Sequence, residues 1–316
     1  MKASNQLWRS RIGGFALIGP LLMGGTTILS GTAHAEATCA PATVTTVIPM
    51  RTPLLDWSEN IGYDAQGDLW VSRILRDKVE RFDPQGHLLT SVDVRSPGSV
   101  RLGPDGLMYV VSGDSPLNLL PGPATGTVLR FDPTADNPVA QVFATGLGMP
   151  NGLGLDTAGN VYVADSRLGL RRFHPDGVLD ADWTARAPQN LDLAGGVDGM
   201  EFNGLAVVGD SIYTTLSSSV TGRVLRVPID APHSFEVTAD MSSAGTLMPD
   251  DLVAAGGGLY VTTTLGQVVR VDSVTHGVCT IYSGEPVTSV VVDPAAPSDL
   301  LAGTESGDVL RLHPNG

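Results

Sequence analysis

The chain has 316 residues and is acidic, with 19 Lys and Arg against 33 Asp and Glu for a formal net charge of −14. That balance disfavours nucleic acid and anionic membrane as partners, because phosphate binding runs on Lys and Arg. The length is enough to bury a sizeable core, and β-rich chains of this size often form one domain.

In chain order, the first predicted element is a targeting segment. Lys2, Arg9 and Arg11 form a basic start, Ile12 to Leu29 is mostly apolar, and Ala33-His34-Ala35 supplies a small-residue cleavage site. Gly13, Gly14, Gly19, Pro20, Gly24 and Gly25 suit a secretory signal better than a spanning helix, and Arg9-Ser10-Arg11 is not a twin-arginine pair. Residues 1–35 are therefore expected to be a cleaved signal peptide and 36–316 the mature domain, secreted or periplasmic, with no membrane partner after cleavage. Cleavage removes three positive charges and no negative ones, taking the net charge from −14 to −17. Cys39 and Cys279 both survive it, and export permits a disulfide between them; two unpaired thiols are the alternative.

Thr43-Val-Thr-Thr-Val-Ile48 reads as a strand standing before the first of six similar units. One strand series is Leu69-Trp70-Val71, Met108-Tyr109-Val110, Val161-Tyr162-Val163, Ile212-Tyr213-Thr214, Leu259-Tyr260-Val261 and Leu300-Leu301-Ala302. A second follows it, built on Arg81, Arg130, Arg172, Arg226, Arg270 and Arg311, and the apolar residue after each arginine falls at steps of 49, 42, 54, 44 and 41 residues. Periods of this size mark repeat architectures. Turn-forming Asp64, Asp156 and Asp293 separate short β-type runs, and no window outside the targeting segment shows helical periodicity. Three strands per unit are evident and a fourth is expected. The fold class is all-β: a six-bladed β-propeller, a single domain. The last unit lacks an outer strand, which residues 43–48 would supply to close the ring. The recurring arginines read as bridges between strands or blades, and His87, His174, His276 and His313 as exposed imidazoles.

Four oxygen-bearing residues, Glu59, Asn151, Asn203 and Asp250, precede the aromatic of their unit (Trp70, Tyr162, Tyr213 and Tyr260) by ten or eleven positions. Equivalent positions on the inner strands of a ring converge on its axis at one mouth of the channel. Carboxylate and amide oxygens together suit Ca²⁺ or another divalent cation, and the absence of His and Cys at these offsets argues against zinc or copper. Blades two and six offer only Gly98-Ser99 and the neighbours of Val287, so one side of the ion is expected to be open. Asp198-Gly199-Met200 could replace Asn203 as the start of its inner strand. Asn-Gly and strand-leading Asp can also be simple turn formers.

Glu59, Pro150-Asn151-Gly152, Asn203-Gly204 and Pro249-Asp250 resemble the senescence-marker-protein/gluconolactonase/luciferin-regenerating-enzyme family, related to paraoxonases and diisopropylfluorophosphatase. The resemblance spans nearly all of the mature chain. It implies a Ca²⁺-dependent hydrolase of lactones or related esters, with a small-molecule substrate and Asp250 as both ligand and acid/base or nucleophile. Met149 stands where sugar-lactonase members carry an arginine, and Met149, Met200 and Met248 favour a less polar lactone or ester. The loops 114–126 and 185–197 would select the substrate. A non-catalytic binding propeller with a structural ion is the alternative, and a lyase on the same scaffold is a third. The sequence does not fix an oligomeric state.

Overall fold

Short Val-, Ile- and Tyr-rich runs punctuated by Asp- and Gly-bearing turns fold as antiparallel sheets arranged around one axis. The computed structural model describes residues 39–190, 202–219, 221–242, 245 and 248–315; the expected signal segment and Met200 lie outside them. Blade one comprises β2 (Ser58–Tyr63), β3 (Leu69–Arg73), β4 (Lys78–Phe82) and β5 (Leu88–Asp93). Blade two comprises β6 (Pro97–Leu102), β7 (Met108–Ser112), β8 (Gly126–Phe131) and β9 (Gln141–Leu147). Blade three has three strands among the described residues: β10 (Pro150–Leu155), β11 (Val161–Asp165) and β12 (Gly169–Phe173). Blade four is β13 (Phe202–Val208), β14 (Ser211–Leu216), β15 (Arg223–Pro228) and β16 (Glu236–Asp240). Blade five is β17 (Pro249–Ala255), β18 (Gly258–Thr263), β19 (Gln267–Asp272) and β20 (Val278–Ser283).

Blade six joins the two ends of the chain. Its strands β21 (Val287–Asp293), β22 (Ala296–Thr304) and β23 (Val309–Asn315) take β1 (Ala40–Ile48) as their outer member, paired antiparallel to β23. Cys39 is disulfide-bonded to Cys279 on β20 of blade five. The expected closure is thus present, and the bond reinforces it. Closing the ring also buries the inner edges: β2, β6, β10, β13, β17 and β21 each lie beside the next, and β21 returns to β2.

Hydrophobic packing lies between blades. Trp70, Val79, Val100, Met108 and Phe131 fill the space between blades one and two, and equivalent clusters occupy the other five junctions. A sheet buried on both faces explains why β3 and β11 have no exposed residue. The hairpin aspartates hold the turns: Asp64 accepts the Gln66 and Asp68 N–H groups at 3.0 Å and the Trp70 indole at 2.9 Å, and Asp156 does the same for Ala158, Asn160 and Tyr162. Each recurring arginine pairs with an acidic side chain, and Arg81 also reaches the Pro133 carbonyl of the next blade at 2.8 Å.

One element departs from the all-β expectation. Helix α1 (Ala181–Arg186) packs on β12, with the Asp180 carboxylate capping it at the Trp183 N–H and the buried Trp183 indole donating to the Ile229 carbonyl at 2.7 Å. At six residues it is too short to show a helical period in sequence.

Candidate functional site

Every inner strand carries a β-bulge near its first residue. The pairing register jumps between Ser58 and Asn60, Pro97 and Val100, Pro150 and Gly152, Phe202 and Leu205, Pro249 and Leu252, and Val287 and Ser289. Glu59, Asn151, Asn203 and Asp250 all fall inside these irregularities. A bulge breaks strict alternation and re-aims a side chain, which explains how one residue per strand can leave the sheet and turn toward the channel. Asn203 occupies the same register position as the other three.

The glycines after the asparagines are there for close approach, not for hairpin turns. A Cβ on Gly152 would stand 2.1 Å from the Asn203 carbonyl oxygen, and one on Gly204 2.5 Å from that of Asp250. Blades three, four and five therefore touch backbone to backbone at the bulges. The Thr215 hydroxyl fixes the contact by donating to the Asp250 carbonyl at 2.5 Å while accepting the Gly204 N–H at 2.8 Å.

Glu59, Asn151 and Asp250 are buried, and Asn203 is partly so. The Asn151 amide donates to Glu59 Oε1 at 3.2 Å and to Asp114 Oδ2 at 2.9 Å. Trp57 Nε1 donates to Glu59 Oε2 at 2.8 Å, and Asn203 Nδ2 to Ser217 Oγ at 3.1 Å. Both asparagines thus spend their N–H groups on neighbours. The Asn203 Oδ1 atom is buried with no hydrogen-bond partner.

Asp114 was not among the residues singled out in the sequence. It lies two positions past β7 and gives blade two a buried carboxylate beside Asn151, so that side of the site is not bare as expected. The signal was available: the ends of second strands return to the mouth and carry polar residues, Asp114, Asp165, Ser217 and Glu305. Asp165 serves the backbone, accepting the N–H groups of Gly148, Met149, Arg167 and Leu168.

Electrostatics separate these carboxylates from the rest. Buried Asp56, Asp64, Glu80, Asp251 and Asp293 each pair with an arginine. Glu59, Asp114 and Asp250 have no Lys, Arg or His in ion-pair range among the described residues. Burial pushes the Asp250 carboxyl well above its ordinary range, and the charges of Glu59, Asp251 and Asp114 add to it. Burial and then the Glu59 charge raise Asp114 in the same way. Glu59 is raised by burial despite the hydrogen bonds from Trp57, Asp114 and Asn151. Three uncompensated carboxylates in one pocket are strongly unfavourable unless a cation or shared protons accompany them.

The donor set fits a hard divalent cation. It offers carboxylate oxygens from Glu59 and Asp250, the unpartnered amide oxygen of Asn203, and Asn151, whose nitrogen is already engaged. Among the described residues no three His, Cys, Asp or Glu side chains make a metal cage alone. The amides are needed. With Asp114 the acid count exceeds the two carboxylates foreseen from sequence.

Beneath the mouth, Arg101 fills the channel. Its guanidinium reaches Asp251 Oδ2 at 3.2 Å, Asn60 Oδ1 at 2.5 Å and the Ile61 carbonyl at 3.0 Å. On the far side of it a cavity of about 220 Å³ is lined by Arg101, Leu153, Leu205, Leu252 and Val290.

No family model matches the chain, and no curated protein matches it in sequence. Among solved structures it is similar to a gluconolactonase from Xanthomonas campestris, with 16% identity, 90% of this chain and 99% of that one covered, and a TM-score of 0.60. The calcium-binding protein regucalcin from Agrobacterium tumefaciens matches at 17% identity over 88% and 96% of the two chains, with a TM-score of 0.63. A virginiamycin B lyase from Staphylococcus aureus matches at 11% identity over 86% and 99%, with a TM-score of 0.55. The fold is that of the gluconolactonase- and regucalcin-like six-bladed propellers. At these identities the likeness establishes the fold and leaves the chemistry to the site.

Proposed function

We propose that this chain is an exported, divalent-cation-dependent hydrolase of lactones or related esters, with Glu59, Asn151, Asn203 and Asp250 holding Ca²⁺. One observation carries the reading: Glu59, Asp114 and Asp250 are buried together without a cationic partner, while the other buried acids are paired with arginine or, as Asp165 is, held by four backbone N–H groups. The fold shared with a gluconolactonase and with calcium-binding regucalcin supports it.

A bound ion of this kind supplies Lewis-acid polarisation of the substrate carbonyl. The chain's own residues account for the rest. Asp250, held in place through its carbonyl by Thr215, accepts the proton of the attacking water or attacks the carbonyl carbon itself. Asp114 fixes Asn151 by accepting its amide N–H at 2.9 Å, which leaves the Asn151 oxygen for a ligand. Arg101 and Asp251 close the channel below, so substrate enters from the mouth. Leu54, Leu117, Leu120, Met248 and Leu265 are exposed in the loops of that face, which favours a less polar substrate over a sugar acid. The disulfide accords with export.

Hydrolysis of a panel of lactones and aryl esters, with Ca²⁺ and with chelator, tests the proposal. Activity that survives both chelation and Asp250→Asn overturns the mechanism. An ion that raises the melting temperature with no turnover on any substrate identifies a binding ring instead.

A further inference from the structure

The segment joining β1 to β2 is more tightly fastened than a simple connection requires. Asp56 accepts the N–H groups of Arg51 and Thr52 at 2.7 Å and the Arg76 guanidinium at 2.6 Å. The buried guanidinium of Arg73 binds the Asp56 carbonyl, the Gly307 carbonyl and Glu80. The segment ends at Trp57, whose partly exposed indole stands at the mouth and whose N–H reaches Glu59 Oε2 at 2.8 Å.

Two buried glutamates of blade one show what the choice of donor does. Glu80 is held by Arg51 and Arg73, which cancel its charge. Glu59 is held by an indole N–H and an amide N–H. Neutral donors fix the plane of a carboxylate and occupy one lone pair on each oxygen. They bring no compensating positive charge, and with these two donors and Asp114 the carboxylate still has a lone pair to offer. That combination orients an anionic ligand for a cation, and partners of this type hold coordinating groups in register.

We infer that Trp57 is the positioning residue for Glu59 and that its indole senses occupancy of the cation site. This rests on the divalent-cation reading given above. The other described tryptophans cannot report on the site. Trp70 and Trp183 are fully buried between blades and donate to Asp64 and to the Ile229 carbonyl.

The test uses the full chain stripped of metal, with Ca²⁺ as the probe, followed by calorimetry and by tryptophan emission. Wild type is expected to bind with a change in emission over the same concentration range. Trp57→Phe keeps an aromatic ring but loses the N–H; binding is expected to weaken about tenfold or more, with the emission change abolished and the melting temperature of the stripped protein unchanged. Wild-type calcium affinity in Trp57→Phe, or an emission response that persists in it, overturns the role of Trp57 alone. Emission of the wild type that stays constant while calorimetry shows binding overturns the sensing role, whether or not the variant folds. If calorimetry shows no binding of Ca²⁺, Mg²⁺ or Mn²⁺ to wild type, both this inference and the cation site itself are overturned.

Discussion

Arg101 Nη2 lies 3.2 Å from Asp251 Oδ2, while Asp250, the preceding residue, has no cationic side chain beside it. One bulge thus delivers two carboxylates to opposite fates, one paired with an arginine inside the channel and one without a cationic partner at its mouth. Asp250→Asn is expected to lower turnover at least about a hundredfold and to stabilise the metal-stripped fold by removing an uncompensated acid. Asp251→Asn strands a partly buried guanidinium and is expected to cost about 1–3 kcal/mol, discounted because Arg101 retains some exposure. Urea melts of the stripped proteins would show midpoints moving in opposite directions.

Calcium is expected to raise the melting temperature of the stripped protein. At a hundredfold excess over its dissociation constant, a ligand bound only by the native state contributes about 2.7 kcal/mol, or about 5–10 °C for a chain of this size. Scanning calorimetry with and without chelator measures this.

The pH dependence has a definite sign. Glu59, Asp114 and Asp250 have pKa values above their ordinary 4.5, 3.8 and 3.8 in the folded state, so between those values and the raised ones the native protein binds more protons than the unfolded chain. Stability of the stripped protein must then fall as pH rises through that window. Asp56 and Asp156 do not oppose this at pH 5. Burial would raise them, but accepted hydrogen bonds outweigh it and lower both, so their contribution is lost only as pH falls through values below 3.8. The urea midpoint is expected to be higher at pH 5 than at pH 7.5 without metal, and this dependence is expected to shrink with saturating Ca²⁺.

Gly152→Ala and Gly204→Ala place a methyl group against the Asn203 and Asp250 carbonyls. Neither neighbour is a flexible side chain that could swing aside. A loss of about 1–3 kcal/mol is expected for each, together with weaker calcium binding, because the displaced backbone carries the neighbouring candidate ligand. Gly67→Ala tests only left-handed backbone strain, since its Cβ would meet nothing within 4 Å; calcium affinity there should be unchanged.

Reduction of the Cys39–Cys279 bond releases a link across 240 residues. The chain-entropy treatment gives about 5 kcal/mol as an upper value. Equilibrium urea unfolding with and without reductant is expected to show the reduced protein less stable.

The repeat was legible because the blades share parts: an arginine on the third strand of all six, an aromatic on the second strand of all but the sixth, and an aspartate at the turn between first and second strands of all but the fifth. Ring closure by the early strand followed from the incomplete last unit. The candidate set came from offsets of ten or eleven residues before Trp70, Tyr162, Tyr213 and Tyr260, which put Glu59, Asn151, Asn203 and Asp250 at matching points of the ring. What makes those points face the mouth is the bulge at each strand start, and a register irregularity leaves no mark in residue order. Asp114 lies two residues past a second strand, so a reading confined to the starts of first strands passes over it. The six-residue helix on blade three is shorter than two helical turns.

The sequence by itself determined the ring and the candidate oxygen donors, because periodicity and composition act locally and repeat. Only the tertiary structure decided which acids lack a cation, because charge compensation is a matter of distance. Asp250 and Asp251 are neighbours in the chain and identical in type, and a single arginine from another blade separates them.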